Sequence, residues 1–425
     1  MKKEERYTHD FNNMIKIVIF NSFGFFFLEF IIPFYVSQVL GATNIELGII
    51  FSMNLVGHII SSSFTGILTD RLKSKTRLIL LGSFGRGIAY FWLYGAFILN
   101  SLLGIMLGNF FIGFFVGFFW IPFDTLIAEK SNKNNRANAY GKRNSAIGIG
   151  MLIGSLIGFP IFSYLISISS NASLIYIPIV FFGISNFYAG IQFIRKVNES
   201  IKFSNFGFEF SNNDNIRRAP NSSRSFLFGL VFISLVLFLA NINGSLAKPF
   251  LNVYLLENIV NDPTIAVWVY LPPGIISMLL APKLGNLVDR LKPSIGISVA
   301  SALGAGITWL LINTNNVFLF SLLLVFDMTI VHTANLVIQN LLSRISLKHR
   351  GKIFSLFRVF LNVGNVIGPI LGGFVSFYVG LKSPFIISII VELCLIPFYV
   401  ITLLVLKPFL KEKYEKIKEF HEELV

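Results

Sequence analysis

The sequence has little charge and almost no cysteine for its length. Only 13% of its 425 residues are charged and 54% are hydrophobic, whereas a soluble protein of this size needs far more polar surface. Its one cysteine, Cys394, excludes an intramolecular disulfide. It contains no Gly-rich phosphate loop ending in Lys-Ser or Lys-Thr, no metal-spaced Cys and His, and no clustered catalytic set. We therefore expect no cofactor, no bound metal, no ATP-driven pumping and no enzymatic activity.

The sequence contains many long apolar runs. Runs of about 20 residues are long enough to cross the hydrocarbon core of a bilayer, and such runs recur throughout the chain. They lie at 13–36, 45–68, 76–98, 101–126, 141–167, 172–194, 225–256, 264–288, 294–312, 316–342, 352–379 and 383–406. The pattern predicts an all-α membrane protein with twelve transmembrane helices, in contact with the lipid bilayer.

The net charge of +14 comes from basic residues that lie mainly in every second loop between spans. Lys382, in one of the intervening loops, is the clear exception. Basic loops on one side of a membrane are typical of its cytoplasmic side. We therefore predict a multi-pass protein of the cell membrane with both termini in the cytoplasm, and no nucleic-acid partner. The basic residues in question are Arg71, Lys73, Lys75, Arg77, Lys130, Lys133, Arg136, Lys142, Arg143, Arg195, Lys196, Arg217, Arg218, Arg224, Arg290, Lys292, Arg344, Lys348, Arg350 and Lys352.

A short polar phrase occurs twice, at residues 66–73 (GILTDRLK) and 285–292 (GNLVDRLK). Each copy ends an apolar run and opens a charged turn, at matching points of two similar halves. A polar stretch at 195–224 separates these halves. Internal duplication of six spans is typical of secondary transporters, which bind their solute near the middle of the membrane.

With these features the chain resembles the major facilitator superfamily from its first to its twelfth span. The loop signature of that superfamily, Gly-x-Leu-x-Asp-Arg-x-Gly-Arg-Arg, is matched twice, although Lys73 and Ser74 replace the usual Gly and Arg of the first copy. The matching residues are Gly66, Leu68, Asp70 and Arg71, and then Gly285, Leu287, Asp289 and Arg290. The resemblance implies two pseudo-symmetric six-helix bundles, at 1–194 and 225–406, joined by a cytoplasmic linker at 195–224 and followed by a cytoplasmic tail at 407–425.

A second motif of the superfamily, Gly-x-x-x-Gly-Pro-x-x-Gly-Gly, is associated with span 5 of drug antiporters. Span 11 carries it completely, whereas span 5 has Ser155 and Phe159 in place of Pro and the last Gly, which weakens an antiporter assignment. Glycines four residues apart let another helix approach closely, so packing alone is an equally good explanation. The helix-packing residues are Gly150, Gly154 and Gly158 in span 5, and Gly364, Gly368, Pro369 and Gly372 in span 11, where Gly373 completes the motif.

The resemblance also implies a gate. Asp70 would cap the N-terminus of span 11 near Gly351, and Asp289 would cap that of span 5 near Gly141. Arg71 would pair with Asp124, and these contacts would favour the outward-open state. The alternative is a membrane-anchoring turn without a gating role. The gating candidates are Gly66, Asp70, Arg71, Asp124, Gly285, Asp289 and Arg290.

Charged residues inside spans are costly and are functional candidates by default. In the superfamily, spans 1, 4, 7 and 10 line a central cavity, which favours Glu29, Lys248 and Asp327 for contact with solute or proton; a static ion pair is the alternative for each. The further candidates are Asn241, Ser245, His332 and Asn335. Two other buried charges, Arg86 in span 3 and Glu392 in span 12, lie in helices that the superfamily places peripherally, and neither has an evident partner.

The sequence thus predicts a monomeric secondary active transporter that moves a small solute by alternating access. Proton-coupled efflux of drug-like or amphipathic compounds is slightly favoured, because span 1 holds a carboxylate and phenylalanine is abundant. Uptake of a sugar or organic acid is a close alternative, and Lys248 would suit an anion. A membrane sensor that binds solute without transporting it is a third possibility.

Overall fold

A computed structural model describes residues 6–71, 74–132, 136–202, 224–290, 293–344 and 350–406. These residues are almost entirely helical, and the described part contains no strand beyond one isolated antiparallel bridge between Tyr7 and Ser131. The all-α architecture expected from the apolar runs is confirmed.

The first half of the chain contains the first eight α-helices. They are α1 (Phe11–Asn21), α2 (Phe25–Phe34), α3 (Asn44–Arg71), α4 (Lys75–Ile98), α5 (Leu102–Lys130), α6 (Arg136–Ile168), α7 (Ala172–Ile175) and α8 (Ile177–Lys196). A π-helical turn, Tyr35–Val39, extends α2.

The second half repeats this order without a counterpart of α7. Its helices are α9 (Arg224–Leu246), α10 (Lys248–Tyr254), α11 (Pro263–Arg290), α12 (Pro293–Asn313), α13 (Val317–Arg344), α14 (Arg350–Val379) and α15 (Ser383–Leu406). A second π-helical turn, Leu255–Ile259, extends α10. Spans 1 and 7 are therefore each built from two α-helices followed by a π-helical turn, although the break at Ala247 comes later in span 7 than the break at 22–24 does in span 1.

The helices lie where the twelve apolar runs predict them. Among the described residues, eight helical stretches are long and apolar enough to cross a membrane, and two shorter apolar stretches lie at 298–313 and 317–331. One predicted boundary is wrong: α6 begins at Arg136 rather than at 141, so Gly141 lies inside the helix. Hydropathy misses this polar first stretch, which is helical because Ala139 and Tyr140 pack on the core.

Local sequence explains where the first span ends and the second begins. Gly41 adopts a positive φ of 60°, which side chains rarely tolerate. The N–H of Ala42 just beyond it donates to the carbonyl of Val36 at 3.0 Å and closes the helix end. Thr43 and Glu46 then form a capping box that starts α3, because the Glu46 carboxylate accepts from the Thr43 N–H at 2.7 Å.

The chain forms two compact units. The first comprises Met1–Asn213 with Asn261–Val267, and the second comprises Asp214–Val260 with Trp268–Val425. One core of the first unit collects a buried side chain from each of five helices. These side chains are Phe11 (α1), Ile79 (α4), Phe123 (α5), Ala139 (α6) and Phe193 (α8).

Glycines on α6 and α14 face the interrupted spans of their own units. A Cβ on Gly150 would collide with the carbonyl of Ile19, and one on Gly154 with that of Phe23. In the second unit a Cβ on Gly364 would lie 2.6 Å from the carbonyl oxygen of Phe238. Span 5 thus touches the backbone of span 1, and span 11 touches that of span 7, through glycines four residues apart.

The other predicted packing positions make contacts of the same kind. A Cβ on Gly158 would lie 2.8 Å from the ring of Phe27, and one on Gly372 would collide with the carbonyl of Leu246. A Cβ on Gly368 would collide with the hydroxyl oxygen of Ser245. Pro369 is buried next to it within α14, which continues unbroken to Val379.

We predict that Gly154→Ala destabilises the protein by about 1–3 kcal/mol, because the new methyl group forces two backbones apart. Gly95→Ala is the matched control, since a Cβ there meets nothing within 4 Å and the change should stabilise the helix by roughly 0.5–1 kcal/mol. Thermal unfolding of both variants in detergent measures the difference. Equal midpoints would contradict the close packing of span 5 on span 1.

Candidate functional site

The first span is interrupted halfway, at residues 22–24, between α1 and α2. The interruption frees carbonyl groups that an unbroken helix would pair. Two of them accept hydrogen bonds from other helices: Ser185 donates to the Phe20 carbonyl at 2.7 Å, and Arg86 donates to the Asn21 carbonyl at 2.6 Å. Glu29 lies in α2, beyond the interruption, and is half-buried.

The seventh span is interrupted at Ala247, and Lys248 is the exposed first residue of α10. Before the interruption, Asn241 donates to the Leu237 carbonyl at 2.8 Å and Ser245 donates to the Asn241 carbonyl at 2.7 Å. Both bonds return to the same helix, one turn back. They support the helix before the break; the side-chain amide oxygen of Asn241 and the hydroxyl oxygen of Ser245 are acceptors by their chemistry.

Glu29 and Lys248 occupy equivalent positions of the duplicated sequence. The separation along the chain between Glu29 and Lys248 is the same as that between Gly66 and Gly285. Aligning the two polar phrases would have paired these opposite charges from the sequence alone. Each residue belongs to the α-helix that follows the interruption in its own half.

Asp327 lies in α13 and accepts a hydrogen bond from Thr308 of α12 at 3.3 Å. Glu392 of α15 contacts the same face of α12, because its carboxylate lies against Gly304, one helical turn before Thr308. Glu392 is thus not isolated, and sequence reasoning missed both Thr308 and this proximity. The side chains of His332 and Asn335 lie outside the described part.

The gate is only partly described. Gly66 and Arg71 lie in the last turns of α3, while the side chains of Asp70, Asp289 and Arg290, and the surroundings of Gly285, fall outside the described residues. At Asp124 the ion pair is formed by Arg143 of α6 and not, as expected, by Arg71. The reason is the packing of α6 beside the end of α5, where Tyr140 also donates to the Asp124 carbonyl at 3.2 Å.

Sequence reasoning also missed a buried ion pair at the end of the first unit where its basic loops lie, which we call the basic end. Lys130 is 0% and Asp10 4% exposed by side chain, and their charged atoms are 2.7 Å apart. Lys130 also donates to the carbonyls of Asn198 and Ile201, at 2.7 and 3.0 Å. The pair therefore joins the segment before α1, the end of α5 and the segment after α8.

A second ion pair reinforces the basic end. Lys75, at the start of α4, lies 2.7 Å from the Glu129 carboxylate, and Lys202 lies 3.3 Å from the same oxygen. Glu199 accepts a hydrogen bond from the backbone N–H of Thr76 at 3.0 Å. The start of α4 is thereby tied to α5 and to the segment after α8.

Hydrogen bonding sets the charge state of Asp10. Burial alone would raise its pKa, but the bonds from Lys130, Thr8 and the backbone N–H of Asn198 outweigh burial and hold the pKa below the ordinary value of 3.8. Because the folded-state pKa is depressed, the charge of Asp10 stabilises the folded protein at neutral pH. This contribution is lost only as the pH falls below that ordinary value and through the folded-state pKa.

A helical membrane chain with two similar halves, each opening with an interrupted span, has an architecture typical of transporters with internal repeats. Comparison with known families agrees. The family model described as Major Facilitator Superfamily matches residues 16–331 and 233–424. The chain belongs to the Major Facilitator Superfamily.

Among curated proteins the chain is similar to the Multidrug resistance protein MdtG of Escherichia coli O1:K1 / APEC. The two are 25% identical over 395 residues, which cover 84% of this chain and 85% of the relative. Together with the family match, this relationship identifies a multi-pass membrane transporter.

Solved structures of low sequence identity share the fold. A bacterial homolog of the human lysosomal transporter Spinster, in an inward-facing and unoccupied conformation, matches with a TM-score of 0.76 and 13% identity, over 94% of this chain and 98% of that one. A D-xylose–proton symporter matches with a TM-score of 0.69 and 15% identity, over 92% and 96%.

We predict that Lys130→Met lowers stability by about 3–5 kcal/mol, because it leaves the buried Asp10 carboxylate without its cation. The double variant Asp10→Asn with Lys130→Met removes both charges and should recover most of the loss. Thermal unfolding in detergent at neutral pH provides the measurement. Lys16→Met, at an exposed position of α1, is the matched control. A double variant no more stable than the single one would contradict a direct interaction.

Proposed function

We propose that this transporter is secondary active, moves a small solute by alternating access and couples that movement to protons, with a preference for efflux of drug-like or amphipathic compounds. The observation that carries the proposal is the pair of interrupted spans, which hold Glu29 and Lys248 at equivalent positions of the two halves. Interrupted spans in corresponding positions are a strong indicator of solute and ion sites in transporters with internal repeats.

Interruption suits a binding role for physical reasons. A helix that stops inside a membrane leaves unpaired donors at the start of the next segment and unpaired acceptors at the end of the previous one. These groups bind polar or charged solutes where side chains do not cover them. In span 1 Arg86 and Ser185 already occupy the carbonyls of Asn21 and Phe20, so that break acts through the position it gives to Glu29. In the proposed mechanism Glu29 binds a proton on one side of the membrane and releases it on the other.

The relatives support efflux, as one carries the name of a multidrug resistance protein. One observation favours a second candidate, the uptake of an organic acid. Lys248 is exposed and opens α10, so the position carries a positive side chain at a helix N-terminus, where anions are favoured. Asp327, Asn241, Ser245, His332 and Asn335 remain proposed contacts for solute or proton.

We further propose that Asp70 and Asp289 act as latches at the cytoplasmic side, together with Gly66, Arg71, Gly285 and Arg290. Asp124 would contribute through its ion pair with Arg143. The proposal includes a monomer in the cell membrane with both termini in the cytoplasm. Its parts are a first bundle at 1–194, a linker at 195–224, a second bundle at 225–406 and a tail at 407–425.

The test is transport by purified protein in liposomes. We expect an imposed pH gradient to drive accumulation of ethidium, an amphipathic cation, and Glu29→Gln to abolish the gradient-driven part while ethidium still binds. Gln keeps the size of the side chain but cannot exchange a proton, so a loss restricted to the driven flux assigns coupling to Glu29. Fluorescence of entrapped dye follows flux, and thermal stabilisation follows binding.

Glu46→Gln is the matched control for this experiment. It makes the same chemical change in the first turn of α3, where Gln can replace Glu in the capping box, and it should transport like the wild type. Gradient-driven flux that survives in Glu29→Gln would exclude Glu29 as the coupling residue. Accumulation of lactate instead of ethidium would favour organic-acid uptake, and binding without flux of either compound would favour a sensor.

A further inference from the structure

Arg86 lies in the middle of α4 and is completely buried, at 0% exposure. A guanidinium group inside a membrane span is costly unless it is paired or functional. Among the described residues no carboxylate pairs with it. Its contacts there are with neutral groups, namely Asn21, Phe25 and Tyr90.

These contacts bridge the interruption of the first span. Arg86 donates through Nη2 to the carbonyl of Asn21 at 2.6 Å, and through Nη1 to the Asn21 side chain. The same guanidinium lies over the ring of Phe25, with its Cζ 4.5 Å from the ring centroid. Asn21 is the last residue of α1 and Phe25 is the first of α2. One side chain therefore contacts both edges of the break.

Further polar side chains from α4 and α8 surround the break. The Asn21 amide donates to the Ser83 hydroxyl and to the Asn186 side chain, each at 3.2 Å. Ser185, next to Asn186, donates to the carbonyl of Phe20. Spans 3 and 6 together pair the Phe20 and Asn21 carbonyls that the interruption of span 1 leaves open.

The far end of α2 is held by the same helix. The hydroxyl of Tyr35, which opens the π-helical turn, hydrogen-bonds the carbonyl of Phe97 near the end of α4. Between these points the Tyr90 hydroxyl lies so close to Gly24 that a Cβ there would collide with it. The segment that carries Glu29 is therefore fixed to α4 at both of its ends.

The second half keeps only one of these two attachments. Tyr254 hydrogen-bonds the carbonyl of Ile312, near the end of α12, at 2.7 Å, as Tyr35 does with α4. In contrast, α12 contains neither Lys nor Arg along its whole length. The guanidinium bridge thus belongs to the half that carries Glu29.

We propose that Arg86 is a positioning residue that fixes the interrupted turn of the first span, and with it the orientation of α2. This inference deepens the proposed function, because α2 carries Glu29. Arg86 acts through the break and not by contact with solute. The first test of this role of Arg86 requires no transport, so its result does not depend on whether the proposed function is correct.

The first test is amide hydrogen exchange of the purified protein, read on peptides that cover residues 20–30. We expect Arg86→Leu to accelerate exchange at 22–28 by about tenfold or more, since tenfold corresponds to about 1.4 kcal/mol and a hydrogen bond to a charged group contributes at least that much. Arg86→Lys should give an intermediate rate, because an ammonium group can donate to the Asn21 carbonyl but lacks the planar fork.

Ser185→Ala removes only the bond to Phe20 and provides a milder second variant, with a smaller acceleration expected, should Arg86→Leu fail to fold. Arg77→Leu, at an exposed position of the same helix, is the matched control and should exchange like the wild type. Unchanged exchange at 22–28 in the Arg86 variants would overturn the proposal. So would an equal acceleration throughout the first unit, which would indicate general destabilisation.

The second test separates positioning from solute contact. In liposomes with ethidium, we expect Arg86→Lys to lower kcat and leave KM unchanged, because a residue that only orients α2 does not contribute to ground-state binding. A raised KM with unchanged kcat would show that Arg86 touches the solute and would overturn a pure positioning role. If the wild type carries no ethidium, the efflux proposal fails while the exchange experiment still decides the role of Arg86.

Discussion

The constraint on which this structure depends is the absence of water inside a bilayer. Every backbone N–H and C=O in the hydrocarbon region needs a partner within the protein, and a continuous helix supplies one for each. The interruption at residues 22–24 removes that supply, and side chains of Arg86 and Ser185 replace it. The break lies in span 1, but it is stable only because side chains from spans 3 and 6 bind its free carbonyls.

The same constraint gives meaning to the glycines of span 5. An interrupted turn exposes backbone, and a neighbouring helix can cover that backbone only if its side chains do not intervene. Gly150 and Gly154 meet the carbonyls of Ile19 and Phe23, on either side of the place where α1 stops. Interruption and glycine spacing are thus complementary features of span 1. In the second unit Gly364 and Gly368 meet α9 before its break, and Gly372 meets the carbonyl of Leu246 beside the break.

The sequence predicted the helices well because hydropathy reports burial in lipid directly, and most predicted ends lie within a few residues of the observed ones. It failed where helices continue into polar sequence, as at Arg136. It also failed for contacts, since pairing Arg143 with Asp124 requires knowing which helices touch. Arg86 seemed to lack a partner because its partner, Asn21, became available only when the helix stopped, and no hydropathy pattern reveals a missing turn.

The opposite charges at Glu29 and Lys248 have a consequence for energetics. Halves of six spans each repeat in the same orientation across the membrane, so two identical halves would carry the same charge at this position. An acidic residue in one copy and a basic one in the other give the halves opposite charges there. These charges respond in opposite senses to the membrane potential, which acts on each elementary charge with about 2.3 kcal/mol per 100 mV. A movement that carries both charges the same way through the membrane field is therefore electrically compensated, whereas a movement of one half alone is not.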